Sequence, residues 1–230
     1  MQKTSARISG NCSGKIHAFV LIFTFAVCLV FSQAYGAKES VTIKSVMAGL
    51  EARYSGKSFE TSFVQISRLD ALDMVEKASG RALFAYPGRM KWEYLSPDHH
   101  EIITNGETVW IFRPDENQVM KGSASSFFRA GAGGAFLSDI KIIKDHYDAR
   151  IKSVNPSWID ISLIPRIKTD QIASISVKIA RPGFEITKVT TVNAYGDTTV
   201  FEFHDINFRK INPEIFEFAI PSGTSVINMN

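Results

Sequence analysis

The chain has 230 residues, of which 45% are hydrophobic, 21% charged and 11% aromatic. That is a globular composition, and it excludes a disordered or collagen-like chain. There are 26 basic and 23 acidic residues, but Lys3, Arg7 and Lys15 stand in the first 36 positions with no acid, so the remainder is formally neutral and has no global field to attract nucleic acid.

Those three cations precede an apolar run from Ala18 to Phe31, AFVLIFTFAVCLVF, and then Ala34-Tyr35-Gly36. The order of charge, apolar stretch and small-x-small predicts a secretory signal peptide over 1–36, cut between Gly36 and Ala37. As a helix the run rises about 21 Å, short of the roughly 30 Å of a bilayer's hydrocarbon core. Cys28 follows Phe25-Ala26-Val27 and the apolar run continues past it, which is not the pattern of an acylated cysteine. The mature domain is therefore expected to be 37–230, exported to the periplasm. Both cysteines, Cys12 and Cys28, leave with the signal segment. This excludes a disulfide framework, a thiolate nucleophile and a cysteine-ligated metal in the mature chain.

Residues 40–54 place Ile43, Val46, Met47, Leu50 and Tyr54 at three- and four-residue intervals, predicting an amphipathic helix capped by Ser40. From Phe59 the period becomes two: Phe59, Thr61 and Phe63 share a face. Asp70, Asp73 and Glu76 read as solvated charges along a hairpin loop. Strands are predicted near 82–86, 90–95, 101–104, 108–113, 117–121, 147–154, 157–164, 171–180, 184–193, 197–208 and 215–220. They are separated by turns at Pro87-Gly88, Asn105-Gly106, Pro114-Asp115, Asn155-Pro156, Pro182-Gly183 and Gly196-Asp197. Connections this short predict an antiparallel sheet. Residues 123–143 interrupt the pattern; Phe127, Phe128, Phe136, Leu137 and Ile140 have no period of two, and Gly131, Gly133 and Gly134 split the segment into two short helical pieces. The fold class is α+β in one domain: a single antiparallel sheet with helices on one side. Strands such as Val109-Trp110-Ile111-Phe112 are apolar on both faces, and a sheet of about twelve strands curls. A curled sheet lidded by helices would hold an apolar ligand; a filled sandwich core is the equal alternative.

No catalytic motif is present: no G-x-S-x-G, H-E-x-x-H, P-loop or G-x-G-x-x-G. His99 and His100 are adjacent in an extended segment and point to opposite faces, so they would not share an ion. The reading is of a binding protein without a cofactor, not an enzyme; a hydrolase is disfavoured because no nucleophile, base and oxyanion donor assemble.

Four stretches resemble the LolA family of outer-membrane lipoprotein carriers. Phe59-Glu-Thr-Ser-Phe63-Val-Gln65 is similar to its opening strand. Gly80, followed by Pro87-Gly88-Arg89-Met90-Lys91-Trp92-Glu93-Tyr94 and Pro97, is similar to its P-G-R-x-R-W-x-Y hairpin. Asn105-Gly106 with Trp110, Phe112, Pro114 and Gln118-Val119 is similar to D-G-x-x-x-W-x-Y-x-P-x-x-x-Q-V. Thr198, Phe201, Phe203, Asn207, Phe216, Phe218, Pro221 and Gly223 are similar to its closing pattern. The resemblance implies an unclosed β-barrel with a helical lid. It also implies a monomer that carries lipoprotein acyl chains from an inner-membrane ATP-binding-cassette release complex to an outer-membrane acceptor lipoprotein. The cavity or lid would then use Phe59, Phe63, Phe84, Trp92, Tyr94, Trp110, Phe112, Phe127, Phe128, Phe136 and Leu137. Trp92, Tyr94, Trp110 and Phe112 serve equally as core on the convex side, and Phe59 and Phe63 as packing for helix 40–54. The best-known members carry an Arg just before the hairpin Pro, bonded to the lid. Here that residue is Tyr86, which leaves Tyr86 and Arg89 as candidate latches. A periplasmic sensor or regulator that binds lipid or lipoprotein with the same half-barrel is the alternative.

N-terminal sequencing of the exported protein should begin at Ala37 with no lipid attached. A mature chain that starts at an acylated Cys28 would overturn the processing and the localisation together.

Overall fold

The computed structural model describes residues 40–129 and 135–229; the expected signal segment and its Gly36–Ala37 junction lie outside them. The first element is α1 (Ile43–Tyr54), whose buried stripe is Val46, Met47, Leu50 and Tyr54. Its cap is Thr42 rather than Ser40, because the helix starts at Ile43 and the hydroxyl one residue earlier is the one that reaches the third amide. Thr42 Oγ1 accepts from the Ser45 amide at 3.1 Å, and Ser45 Oγ accepts from the Thr42 amide at 3.0 Å.

Twelve strands follow: β1 (Ser58–Leu69), β2 (Met74–Ala85), β3 (Arg89–Ser96), β4 (His100–Thr104), β5 (Thr108–Arg113), β6 (Gln118–Ser123), β7 (Tyr147–Val154), β8 (Trp158–Pro165), β9 (Ser174–Ala180), β10 (Ile186–Val192), β11 (Thr198–Phe208) and β12 (Ser225–Asn228). Between β6 and β7 stand α2 (Ala124–Arg129), a 3-10 turn at Ala135–Ser138 and α3 (Lys141–His146). All of these elements belong to one compact unit that begins at Val41.

The strands form a single sheet in the order β12-β6-β5-β4-β3-β2-β1-β11-β10-β9-β8-β7. β12 and β7 are its two edges, so the sheet is not closed into a barrel. Two hairpin meanders, β1 to β6 and β7 to β11, meet where β1 pairs with β11, with Phe63 opposite Phe203 and Gln65 opposite Phe201. Every predicted turn joins neighbouring strands.

Three expectations are corrected. The sheet is mixed, not wholly antiparallel, because β12 lies parallel to β6 with Val226 opposite Val119. The predicted strand at 215–220 does not form: Pro213–Phe216 is a 3-10 turn, entered through Asn212, whose side chain accepts from the Glu214 amide, and 217–220 have no regular structure. Pro at its first turn has a φ preset for a helical turn and no amide to pair, which overrides the F-E-F alternation. β2 begins at Met74, so Glu76 lies in a strand and only Asp70 and Asp73 remain in the turn.

Two clusters lie on opposite faces of the sheet. The large one joins α1 and the 124–146 crossover to Phe59, Phe63, Phe84, Trp92, Tyr94, Phe201 and Phe203, then continues through Ile159, Ile161, Val177 and Val189 of the second meander. The small one consists of Ile103, Trp110 and Val119 with Phe112 and Phe218. Their separation follows from register. Ile102 pairs with Trp92 and Ile111, while Ile103 pairs with Lys91 and Trp110, so adjacent residues of β4 feed opposite faces.

α1 is fastened to the second meander through Tyr54, whose buried hydroxyl accepts from the Ile186 amide at 2.8 Å. Arg53 adds an ion pair with Glu185 and lies over the Phe208 ring, 4.1 Å from its centroid. Burial pushes the Tyr54 phenol well above its ordinary value.

Tyr54→Phe leaves the Ile186 amide buried and unpaired, and should lower stability by about 1–3 kcal/mol in urea unfolding. An unchanged midpoint would mean that the amide has another partner. Because the folded-state pKa is raised, this contribution is full below the unfolded value near 10 and is lost as pH climbs past it. Unfolding measured from pH 8 to 11 should therefore show the wild-type advantage over Tyr54→Phe shrinking at the alkaline end.

Candidate functional site

The helix-covered face of the first meander is an aromatic floor. Strand pairing sets Phe59 beside Phe84, Ala82 beside Trp92 and Gly80 beside Tyr94, so alternate residues of three strands converge on one side. Trp92 is the hub. Its ring meets Phe63 at 4.7 Å, Phe201 at 5.2 Å, Phe84 at 5.6 Å and Phe203 at 6.1 Å, all close to edge-on. Phe59 and Phe84 stack at 4.8 Å. Such geometries are the favourable ones for aromatic quadrupoles. Gly80 leaves the room that this packing needs: a Cβ there would lie 2.0 Å from the Glu93 carbonyl oxygen and 3.0 Å from the Phe63 ring.

One polar relay crosses the floor. The Tyr94 hydroxyl donates to Gln65 Oε1 at 2.8 Å, and Gln65 Nε2 donates to Ser67 Oγ at 3.0 Å. Burial raises the Tyr94 phenol and lowers His100, whose ring stacks on Tyr94 at 4.1 Å.

The crossover lies on this face. Phe136, Leu137, Ile140 and Ile143 are buried in the large cluster, and Phe127 and Phe128 pack against it half-buried. The floor aromatics and the buried crossover side chains belong to one cluster. The floor aromatics are buried and in ring contact with one another. Open space lies to one side. A cavity of about 440 Å³ sits between α2, α3 and the β8–β9 connection, lined by Phe128, Ile142, Tyr147, Pro165, Ile167 and Ile172, with Asp145, His146 and Arg166 among its polar groups. Of the residues expected to line a cavity, only Phe128 borders this one.

Trp110 and Phe112 are placed on the other face. They pack on Phe218, with ring centroids at 6.2 and 5.2 Å, and not beneath the crossover. The returning C-terminal segment covers them, which the sequence reading of two apolar faces left open. Conversely, Phe201 and Phe203 belong to the floor, and their alternation around Glu202 was the available signal.

The crossover is fastened to the β2–β3 turn. The Gly88 amide donates to the Ser138 carbonyl at 3.1 Å. Gly88 has φ +68°, a backbone shape natural to glycine, and that shape presents its amide to the crossover. Lys141 of α3 lies over the neighbouring Tyr86 ring, 5.6 Å from its centroid, and a hydrogen bond to the Tyr86 hydroxyl raises its pKa. Lys144 forms a further ion pair with Glu51 of α1. Among the described residues Arg89 makes no hydrogen bond or ion pair with the crossover. The fastening thus falls to Gly88 and Tyr86; the first is a backbone contact that side-chain patterns do not disclose.

On the opposite face, Glu93, His99 and Glu101 bring ligand-type atoms within 4.8 Å of one another. Glu93 is paired with Arg81 at 3.2 Å and Glu101 with Lys91 at 3.0 Å, so both carboxylates already face cations. His100 turns to the aromatic floor instead, as alternation requires.

Known proteins share this architecture. Relatives bearing the description "Outer-membrane lipoprotein carrier protein" include one from Nitrosospira multiformis, 25% identical over 89% of this chain and 97% of its own length. One from Xanthomonas campestris pv. campestris is 26% identical over 92% and 98%, and one from Coxiella burnetii is 25% identical over 74% and 81%. Among solved structures, an uncharacterized conserved protein from Thermus thermophilus superposes with a TM-score of 0.54 at 10% identity, over 81% of this chain and 98% of that one. MucB superposes with a TM-score of 0.50 at 15% identity, over 82% of this chain and 66% of that one. These likenesses are of fold alone. The profile of the family described as "Outer membrane lipoprotein carrier protein LolA" matches residues 55–219, from the end of α1 past the Phe216-Glu217-Phe218 segment. Spanning well over half of the sequence, that match carries the conclusion: the chain belongs to the LolA family.

Proposed function

We propose that the protein is a non-catalytic periplasmic carrier that binds the acyl chains of lipoproteins between its aromatic floor and the 124–146 crossover. It would take them from an inner-membrane ATP-binding-cassette release complex and pass them to an outer-membrane acceptor. The observation that carries this reading is an apolar floor covered by a separate apolar segment that meets the β2–β3 turn through the Gly88 amide and Tyr86. Family membership and the lipoprotein-carrier relatives support the cargo class. Among the described residues, no helix is long and apolar enough to cross a membrane.

The energetics favour exchange. Each buried CH₂ of an acyl chain is worth about 0.8 kcal/mol, so a full chain gains on the order of 10 kcal/mol by leaving water. In the unloaded protein the floor aromatics and Phe136, Leu137 and Ile140 satisfy one another. Loading swaps these contacts for acyl contacts, apolar for apolar. The cost of lifting the crossover then includes the Gly88–Ser138 hydrogen bond, the Tyr86–Lys141 contact, the Lys144–Glu51 ion pair and the ordering of the displaced segment. A neutral hydrogen bond nets only about 0.5–1.5 kcal/mol. The 440 Å³ side cavity is at the lower end of ligand pockets and gives the displaced space a place to open from. Phe59, Phe63, Phe84, Trp92 and Tyr94 would contact the chains on the sheet side, and Phe127, Phe128, Phe136 and Leu137 on the crossover side. Trp110 and Phe112 would act as core.

The test is release of a lipoprotein from inner-membrane vesicles into the soluble fraction, then delivery to outer membranes. Phe136→Asp places a charge in the apolar interface and should abolish soluble cargo. Tyr86→Phe should keep transfer within about twofold, because it removes one contact to the exposed Lys141 and leaves the Gly88–Ser138 hydrogen bond in place. If Phe136→Asp transfers normally while Tyr86→Phe traps cargo, the floor is not the cargo site and this reading fails. A protein that binds lipoprotein but never delivers it would instead fit the sensor reading.

A further inference from the structure

We infer that the free edge of β2 at Met74–Ala78 is a docking site for an extended segment of a partner polypeptide, which adds to the sheet as a strand. The inference is separate from the cargo reading. The site lies at the opposite end of β2 from the Gly88 fastening, some 35 Å away at the rise of a strand.

β1 and β2 pair along their whole length, from Ser58 opposite Ala85 to Leu69 opposite Met74. The pairing of β2 with β3 is shorter: it runs from Ala85 opposite Arg89 only to Ser79 opposite Ser96, and a bulge between Ser79 and Gly80 precedes its end. Bulges commonly terminate a ladder in this way. Among the described residues no strand continues beside Met74–Ala78. Its outward amides and carbonyls are therefore a five-residue template, about 17 Å long.

The side chains suit a partner more than solvent. Met74 is 46% exposed and Val75 55%, with Leu72 at 65% on the turn and Leu95 at 52% where β3 departs. β7, a true edge of the sheet, is guarded differently: Asp148, Arg150 and Lys152 stand along it. Charges of that kind disfavour edge-to-edge pairing, and the Met74–Ala78 stretch has two, the adjacent and oppositely charged Glu76 and Lys77. On β2 the alternation gives two distinct faces, Met74 and Glu76 on one, Val75 and Lys77 on the other. Around them Asp70, Asp73, Glu76 and half-buried Asp197 outnumber Arg68 and Lys77. A strand that sets a lysine opposite Glu76 and a small apolar residue opposite Val75 would make two favourable cross-strand pairs; one carrying an acid opposite Glu76 would be repelled. The occupant is thus an extended, alternating apolar and basic segment.

The experiment uses the whole folded mature protein and two end-capped peptides, Lys-Val-Lys-Val-Lys-Val and Glu-Val-Glu-Val-Glu-Val. Binding is followed by fluorescence anisotropy and by hydrogen exchange of the Met74–Ala78 amides. The basic peptide should bind saturably and slow exchange there, and the acidic one should bind at least tenfold more weakly. Val75→Lys and Glu76→Lys, both at exposed positions, should each weaken the basic peptide about tenfold with an unchanged melting temperature. Equal binding of the two peptides, unchanged exchange at 74–78, or full binding by both variants would overturn the proposal. So would slow exchange at these amides in the free protein with concentration-dependent dimerisation, which would make the edge an interface between copies. Lipid-vesicle binding that Val75→Lys abolishes, without peptide binding, would assign the patch to a membrane and overturn it as well.

Discussion

The chain has to cross its own sheet twice, and most of the architecture follows from that constraint. β1 is an interior strand, so the first meander grows from it outward to β6 at one side. The second meander begins at β7, on the far edge, and grows inward until β11 closes onto β1. A connection from β6 to β7 must span a face, and a segment that spans an apolar face must itself be apolar on its underside. This is why residues 124–146 carry Phe127, Phe128, Phe136, Leu137, Ile140 and Ile143 in short helical pieces and not in a strand. The same logic governs the return. After β11 the chain travels back to β6 across the other face, and Phe218 seals Trp110 and Phe112 there.

A covering segment formed in this way is attached chiefly through its own apolar contacts. Covalent connection at both ends makes its closure cheap in entropy, so it needs little further restraint. At the β2–β3 turn the polar contacts include the Gly88 amide and Tyr86. An aromatic-on-aliphatic interface is also indifferent to whether its partner is a side chain or an acyl chain. On the proposed reading, a closed unloaded state and an open, lipid-filled one would therefore be close in free energy, the condition for a carrier that must both hold and release.

The sequence made several elements legible for identifiable reasons. Residues 43–54 had the full apolar stripe of a helix, and its missed cap, Thr42 in place of Ser40, reflects only where the helix starts. β5 and β7 were readable to the residue because turn dipeptides or a helix end bound them tightly. β2 was read too short, since Met74–Lys77 is exposed on both faces and has no alternation to detect. Phe216-Glu217-Phe218 was misread because a strand and a 3-10 turn after proline can both bury alternate aromatics. The cation near Tyr86 was unreadable: Lys141 is 55 residues away along the chain.

Composition and local pattern by themselves determined a globular α+β domain with a hairpin-built sheet, an apolar interruption, no recognisable catalytic motif and the motifs of a carrier family. These are properties of short windows, in which periodicity and turn chemistry act within a few residues. Only the tertiary structure decided which face each aromatic served, that Trp110 and Phe112 lie apart from Trp92 and Tyr94, that the Gly88 amide is the fastening, and that β12 runs parallel to β6. Each of those depends on register or on a crossover between distant strands. A shift of one residue exchanges the two faces of a strand, and no local signal fixes that choice where both faces are apolar.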